Sequence, residues 1–201
     1  MLMLAEDSER KKVVILGDTQ VGKTCLINAL RGLPYKPDLP STIGTDYFSI
    51  DVVDKSTQNK ITLDVYDTAG QEKYHSITLN SLREAQIGLV VYDITDKSSF
   101  DHVKQWTEKI IEGSGSQCVI YLIGNKSDMQ SKRVISTKEG ETLANTLNIA
   151  SFVEVSAKNG INIAELLQYM SNEKTAPRPE KLDIRTEETP ESLEEKKKKC
   201  C

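Results

Sequence analysis

The sequence predicts an α/β fold: a six-stranded, mostly parallel sheet with helices on both faces. Three observations carry that expectation. Short apolar runs alternate along the chain with amphipathic stretches. The first apolar run leads directly into a glycine-rich loop and a helix. The 201-residue chain is 38% hydrophobic, which is enough for one domain plus additional sequence.

The elements follow in order. Val13-Val14-Ile15-Leu16 is uniformly apolar and predicts a strand buried on both faces, followed by the loop from Gly17 and a helix over Lys23–Leu30. Tyr47–Val53 and Lys60–Asp67 alternate apolar and polar residues, and the polar stretch between them predicts a hairpin. Gly88–Asp93 and Cys118–Asn125 predict two more buried strands, and Ser151–Ser156 a sixth. Helices are expected over Ser98–Glu112, Thr137–Leu147 and Asn162–Glu173. Ligands of such sheets bind beyond the carboxyl ends of the parallel strands.

Composition narrows the possibilities. A formal net charge of −4 argues against a general nucleic-acid binder. No apolar run approaches the ~20 residues needed to span a membrane, and Met1–Leu4 is too short for a signal peptide. Leu2 excludes N-myristoylation. Four cysteines do not suggest a disulfide framework, so a cytosolic compartment is expected. Cys25 and Cys118 fall in predicted buried elements, whereas Cys200 and Cys201 end the chain. After about Lys174 the chain turns acidic, proline-bearing and poor in large apolar residues, which predicts a flexible linker running to Lys196–Lys199.

Four motifs carry chemistry. Gly17-Asp18-Thr19-Gln20-Val21-Gly22-Lys23-Thr24 lies between a strand and a helix, the context a phosphate-binding loop requires. Its backbone N–H groups and the helix start suit phosphate oxygens. Lys23 supplies positive charge, and the Thr24 hydroxyl is a hard oxygen suited to Mg²⁺. Alone this loop does not separate ATP from GTP. Asp67-Thr68-Ala69-Gly70-Gln71 ends a strand: Asp67 suits a Mg²⁺-bound water, Gly70 permits close backbone approach, and Gln71 can orient an attacking water. The bland reading is a turn. Asn125-Lys126-Ser127-Asp128 names the base. Asp128 can pair with the ring N–H and amine of guanine, which adenine lacks, and such a site rejects the wrong base by roughly 10⁴ or more. Asn125 can brace the loops and Lys126 can cover the base. In Ser156-Ala157-Lys158, the Ala157 N–H can meet the guanine carbonyl. Helix capping would account for Asn125 and Asp128 singly but not for the motifs in this order. Cys25 completes the expected nucleotide-contacting set.

With these motifs the chain resembles the Ras superfamily of small GTPases, and within it the Rab family, over about Lys11–Lys174 and again at the terminal cysteines. Ser41–Phe48 looks like the Rab effector segment, Tyr66–Thr78 like the Rab switch II, and Val91–Thr95 with Ser99-Phe100 and Trp106 like a further Rab stretch. The resemblance implies a G domain at 11–174, an N-terminal extension at 1–10 and a hypervariable tail at 175–201. It implies GTP/GDP and Mg²⁺ as ligands, with Thr42 giving a hydroxyl to the metal and an N–H to the γ-phosphate. GTP hydrolysis would be slow without an activating protein, because no internal arginine finger is evident.

Further implications concern partners: effectors at Thr42–Phe48 and Gly70–Leu82, an exchange factor, a GTPase-activating protein, prenylation machinery and a GDP-dissociation inhibitor, with the chain a monomer. A terminal Cys200-Cys201 resembles the Rab pattern in which both are geranylgeranylated, and Lys196–Lys199 would add attraction to an anionic leaflet. A solvated helix end is the bland reading of those lysines. Lys23-Thr24 and Val90–Asp93 are similar to Golgi-type Rabs, which points to the cytoplasmic face of Golgi or endosomal membranes.

Three departures from the family pattern stand out. Thr19 and Gln20 replace residues that are often small, and Thr19 predicts slow intrinsic hydrolysis. Tyr66 stands where Rabs usually carry Trp, and Ser81-Leu82 where they carry two tyrosines, so an unusual partner choice is expected. His75 and His102 read as surface residues and Trp106 as helix packing. The rivals are a GTP-loaded scaffold with little turnover and a P-loop ATPase or kinase.

Overall fold

The structure, a computed structural model, describes residues 9–37, 45–68, 81–114 and 117–175. Expectations placed on Thr42, Gly70, Gln71, His75, Cys200 and Cys201 lie outside those residues.

Strands β1 (Glu9–Leu16), β2 (Thr45–Val53), β3 (Lys60–Thr68), β4 (Ile87–Asp93), β5 (Val119–Asn125) and β6 (Ser151–Glu154) form one sheet in the order β2-β3-β1-β4-β5-β6. Only β2 runs antiparallel, paired with β3 from Thr45↔Thr68 to Val53↔Lys60, as the hairpin expectation required. The other pairings are parallel, with Val13 beside both Val65 and Ile87. Five α-helices are described: α1 (Lys23–Leu30), α2 (Lys97–Asp101), α3 (Val103–Ser114), α4 (Thr137–Thr146) and α5 (Ile163–Asn172).

The period of two along β1 divides the core. Val13 and Ile15 pack with Leu26 and Leu30 of α1 and Leu166 and Met170 of α5. Val14 and Leu16 point to the other face and pack with Phe100, Val103, Trp106 and Ile110 of α2 and α3 and Ala144 of α4. The uniformly apolar runs were legible as strands for this reason: both faces are covered. Where one long helix was expected over Ser98–Glu112, the structure has two, interrupted at His102. Asp96 caps the first, its side chain accepting from the Ser98 N–H at 3.0 Å. Helix α4 starts with a full capping box between Ser136 and Glu139.

Leu82 corrects one expectation. It was grouped with the effector surface, yet it is fully buried in the core, where its side chain occupies the space left by the absent Cβ of Gly113. An apolar side chain at this point gains more from the core than from solvent. Two residues later Glu84 adopts φ 60°, a left-handed conformation that costs a non-glycine residue roughly 1–2 kcal/mol. Glu84→Gly is therefore expected to stabilise the domain by about 0.5–1 kcal/mol after glycine's own entropy cost, read as a rise in the thermal midpoint of about 1–4 °C. An unchanged or lower midpoint would contradict this.

The last described residues are fixed at the end of the sheet away from the ligand loops. The buried Lys11 ammonium donates to the carbonyls of Ser171 (2.7 Å) and Glu173 (2.6 Å), satisfying the carboxyl end of α5. The Tyr121 hydroxyl donates to Glu173 at 2.6 Å, and Gln86 Nε2 to Thr175 at 3.1 Å. Among the described residues, no helix is long and apolar enough to cross a membrane.

Candidate nucleotide site

The site forms where β1, β3, β5 and β6 end. After Leu16 the chain turns at Gly17 (φ 148°), where a Cβ would collide with the Val91 carbonyl oxygen of β4. Gly22 (φ 93°) closes the loop, and a Cβ there would lie 2.5 Å from Asn125 Nδ2. Only glycine permits both approaches. The buried Lys23 ammonium donates to the carbonyls of Gly17 (2.7 Å) and Asp18 (2.6 Å), which draws the loop around it. Thr19 and Gln20 at its crest are exposed, and Gln20 takes the left-handed conformation (φ 64°).

Asn125 joins three loops. It is 1% exposed, its Nδ2 donates to the Val21 carbonyl at 2.8 Å, and its Oδ1 accepts from the Ala157 N–H at 3.2 Å. Lys126 reaches back to the same loop, donating to the Gln20 carbonyl at 2.8 Å and pairing with Asp93 at 2.6 Å. The buried Ser156 hydroxyl donates to Asp128 at 2.7 Å and accepts from the Asn159 N–H at 3.0 Å. Asp128 is thereby aimed by a neighbour from another loop. Lys158 is exposed. The Ala157 N–H, expected to meet a guanine carbonyl, donates to Asn125 Oδ1, and that bond ties the β5 and β6 loops together.

At the other end of the loop, the Thr24 hydroxyl donates to Asp67 Oδ2 at 3.0 Å. Asp67 is fully buried, so the two hard oxygens sit together in a protected place, a donor set suited to Mg²⁺. Cys25, next in the chain, is partly buried; burial pushes its thiol up, with Lys126 of the base-reading loop opposing. Asp18 points the opposite way. It accepts from the Trp106 indole Nε1 at 2.7 Å and lies 2.7 Å from His102 Nδ1. His102, Trp106 and Asp93 were not among the expected site residues. The two contacts to Asp18 span 84 and 88 residues of sequence, and no local spacing signals them.

The sequence places this geometry in a known group. The Ras family model matches residues 12–175, which covers every strand but the start of β1 and all of these loops. The chain belongs to the Ras family. It is similar to the Ras-related protein Rab-37 of Homo sapiens, 44% identical over 153 residues covering 76% of this chain and 67% of the relative. It is also similar to the Ras-related protein SEC4 of Saccharomyces cerevisiae, 40% identical over 155 residues (77% of this chain, 70% of that one), and to Rab-19 of Rattus norvegicus, 36% identical over 164 residues (81% and 74%). The chain is thus a Rab-type small GTPase of unassigned subtype, a guanine-nucleotide-binding protein that hydrolyses GTP to GDP. The ATPase and kinase alternative falls with that membership.

Proposed function

We propose that this Rab-type protein is a switch in vesicle trafficking, cycling between GDP and GTP and recruiting effectors in the GTP state. One observation carries the nucleotide assignment: the Asn125, Lys126 and Ser156 side chains join the phosphate loop to Asp128 in a single hydrogen-bonded frame. A base read by Asp128 and phosphates held by Gly17–Thr24 are then positioned by one rigid unit. Preset donors and acceptors of this kind need no rearrangement on binding.

Each residue has a role in that reading. Lys23 and the loop N–H groups hold the phosphates, and Lys126 lies over the base with its ammonium anchored to Gln20 and Asp93. Thr24, Thr42 and Asp67 would hold Mg²⁺, which when bound neutralises phosphate charge. Gln71 orients the attacking water, and Lys23 stabilises charge developing on the phosphates. An arginine from an activating protein completes that stabilisation. Residues around Thr42–Phe48 and Gly70–Ser81 meet effectors; Tyr47, half exposed, belongs to that surface. An exchange factor and a GDP-dissociation inhibitor act on the same switch.

We further read 11–174 as the G domain, 1–10 as an extension and 175–201 as a tail anchored through geranylgeranylated Cys200 and Cys201 to intracellular membranes of the Golgi or endosomes. The fastening of 171–175 by Lys11, Tyr121 and Gln86, at the end of the sheet opposite the nucleotide loops, supports the domain boundary near 174.

The deciding experiment is single-turnover GTP hydrolysis by the full chain with Mg²⁺. Slow turnover is expected in the parent, at least a tenfold loss in Gln71→Leu, and a gain in Thr19→Gly, where an exposed branched side chain no longer crowds the γ-phosphate position. Turnover equal in the parent and Gln71→Leu would remove the role given to Gln71. GTP binding without turnover in any form, with or without an activating protein, would favour the scaffold reading.

A further inference from the structure

The Asp18 carboxylate of the phosphate loop is met by two side chains, His102 and Trp106. They come from the junction of α2 and α3, an element with no part in holding nucleotide in the reading above. The junction is itself well defined: the His102 N–H donates to the Ser98 carbonyl at 3.2 Å, and the Trp106 N–H to the His102 carbonyl at 3.1 Å. Trp106, the chain's single tryptophan, is 6% exposed and packed in the core, with Lys109 4.2 Å over its ring. Its indole N–H therefore reaches Asp18 from a rigid base. His102 is about half exposed, and Asp18 mostly covered.

We propose that His102 and Trp106 are positioning residues for the nucleotide site: together they clamp the Asp18 carboxylate and so set the Asp18 carbonyl that receives Lys23. The inference rests on the reading of Gly17–Thr24 as the phosphate-binding loop. Two consequences follow from the chemistry. A carboxylate within a phosphate-binding loop is repelled by phosphates unless something compensates it, and here an indole donor and an imidazole do so. One of the two is titratable. Imidazole gains its charge between about pH 5 and 8. Its protonated form makes an ion pair with Asp18; its neutral form makes an ordinary hydrogen bond.

Among the described residues, several other charged side chains of α2 and α3 have partners of their own. Lys97 meets Asp101 at 3.4 Å and Lys104 meets Glu108 at 3.9 Å on the same helices, while Lys109 covers Trp106. Among the described residues, Asp18 is the charged group facing His102 from the loop packed against it. Loop position, and with it nucleotide retention, is therefore tied to His102 protonation. The sign is definite. The ion pair is present at low pH and slows nucleotide release; release accelerates as pH rises and the charge is lost. For a half-exposed pair the change is about two- to fivefold.

The test is the release rate of fluorescent N-methylanthraniloyl-GDP from the loaded full chain at pH 5.5–8.5, in parent, His102→Asn, Asp18→Asn and Trp106→Phe. The nucleotide's own phosphates titrate in this range too, so the comparison between proteins is what counts. The parent is expected to release two- to fivefold more slowly than His102→Asn at pH 5.5 and to converge with it above pH 8. Asp18→Asn, which keeps the loop but removes the charge, is expected to lose the same step. Trp106→Phe keeps an aromatic side chain but removes the indole N–H and its five-membered ring; release about tenfold faster at every pH is expected. A role in packing alone would leave all the pH profiles parallel, and parallel profiles in parent and His102→Asn overturn the proposal. A parent that binds no labelled GDP overturns the phosphate-loop reading and this proposal together.

Discussion

Asn125→Ala is expected to lower guanine-nucleotide affinity by about 100-fold, or ~2.7 kcal/mol. It removes a side chain that is 1% exposed and satisfies one backbone group in each of two other loops: the Val21 carbonyl and the Ala157 N–H. Leaving either without a partner costs about 1–3 kcal/mol. The phosphate loop and the Ser156–Lys158 loop would then be positioned independently, so phosphate and base contacts no longer reinforce each other. Titration with labelled GDP reads the affinity, and urea unfolding without nucleotide reads a loss of about 3 kcal/mol in stability. Affinity within threefold of the parent would mean that the frame does not govern binding.

Asp128→Ala is expected to reduce the preference for GTP over ATP by about 1,000-fold or more. A site built to pair a polar group rejects the analogue lacking it by roughly 10⁴. In this chain the rejecting group is held ready, with one carboxylate oxygen accepting from Ser156 at 2.7 Å. Ser156→Ala should keep the selectivity and lose about tenfold in affinity, because the carboxylate survives but is no longer aimed. Competition of unlabelled ATP and GTP against labelled GDP separates the two variants. Continued exclusion of ATP by Asp128→Ala would place base recognition elsewhere, with the Ala157 region the next candidate.

Much of the fold was legible because its strands obey local rules. Val13–Leu16 and Gly88–Val91 are apolar throughout since helices cover both faces, and Tyr47–Val53 alternates since β2 is an edge strand with one face toward solvent. The boundaries were less legible. The interruption at His102 leaves no mark in the amphipathic pattern, because the chain continues on the same side of the sheet through both helices. Leu82 was misplaced for a related reason: a resemblance assigns a position to a surface, but only the packing against Gly113 shows which way its side chain turns.

The sequence by itself determined the nature of the site. Gly17 and Gly22 are needed where backbone approaches leave no room for a Cβ, Lys23 and Thr24 carry charge and a hard oxygen, and Asp128 carries a guanine-selective carboxylate, all within contiguous motifs. Such requirements are local, so residue type and spacing express them. Tertiary structure alone decided how the motifs act on one another. Asn125 uses both halves of its amide on other loops, the Ala157 N–H donates to Asn125, and the Asp18 carboxylate meets His102 and Trp106. Those bonds join groups separated by 32 to 104 residues of sequence. A hydrogen bond depends on direction over about 3 Å, and nothing in a linear order sets direction; the sheet does, by bringing the ends of β1, β5 and β6 to a common edge.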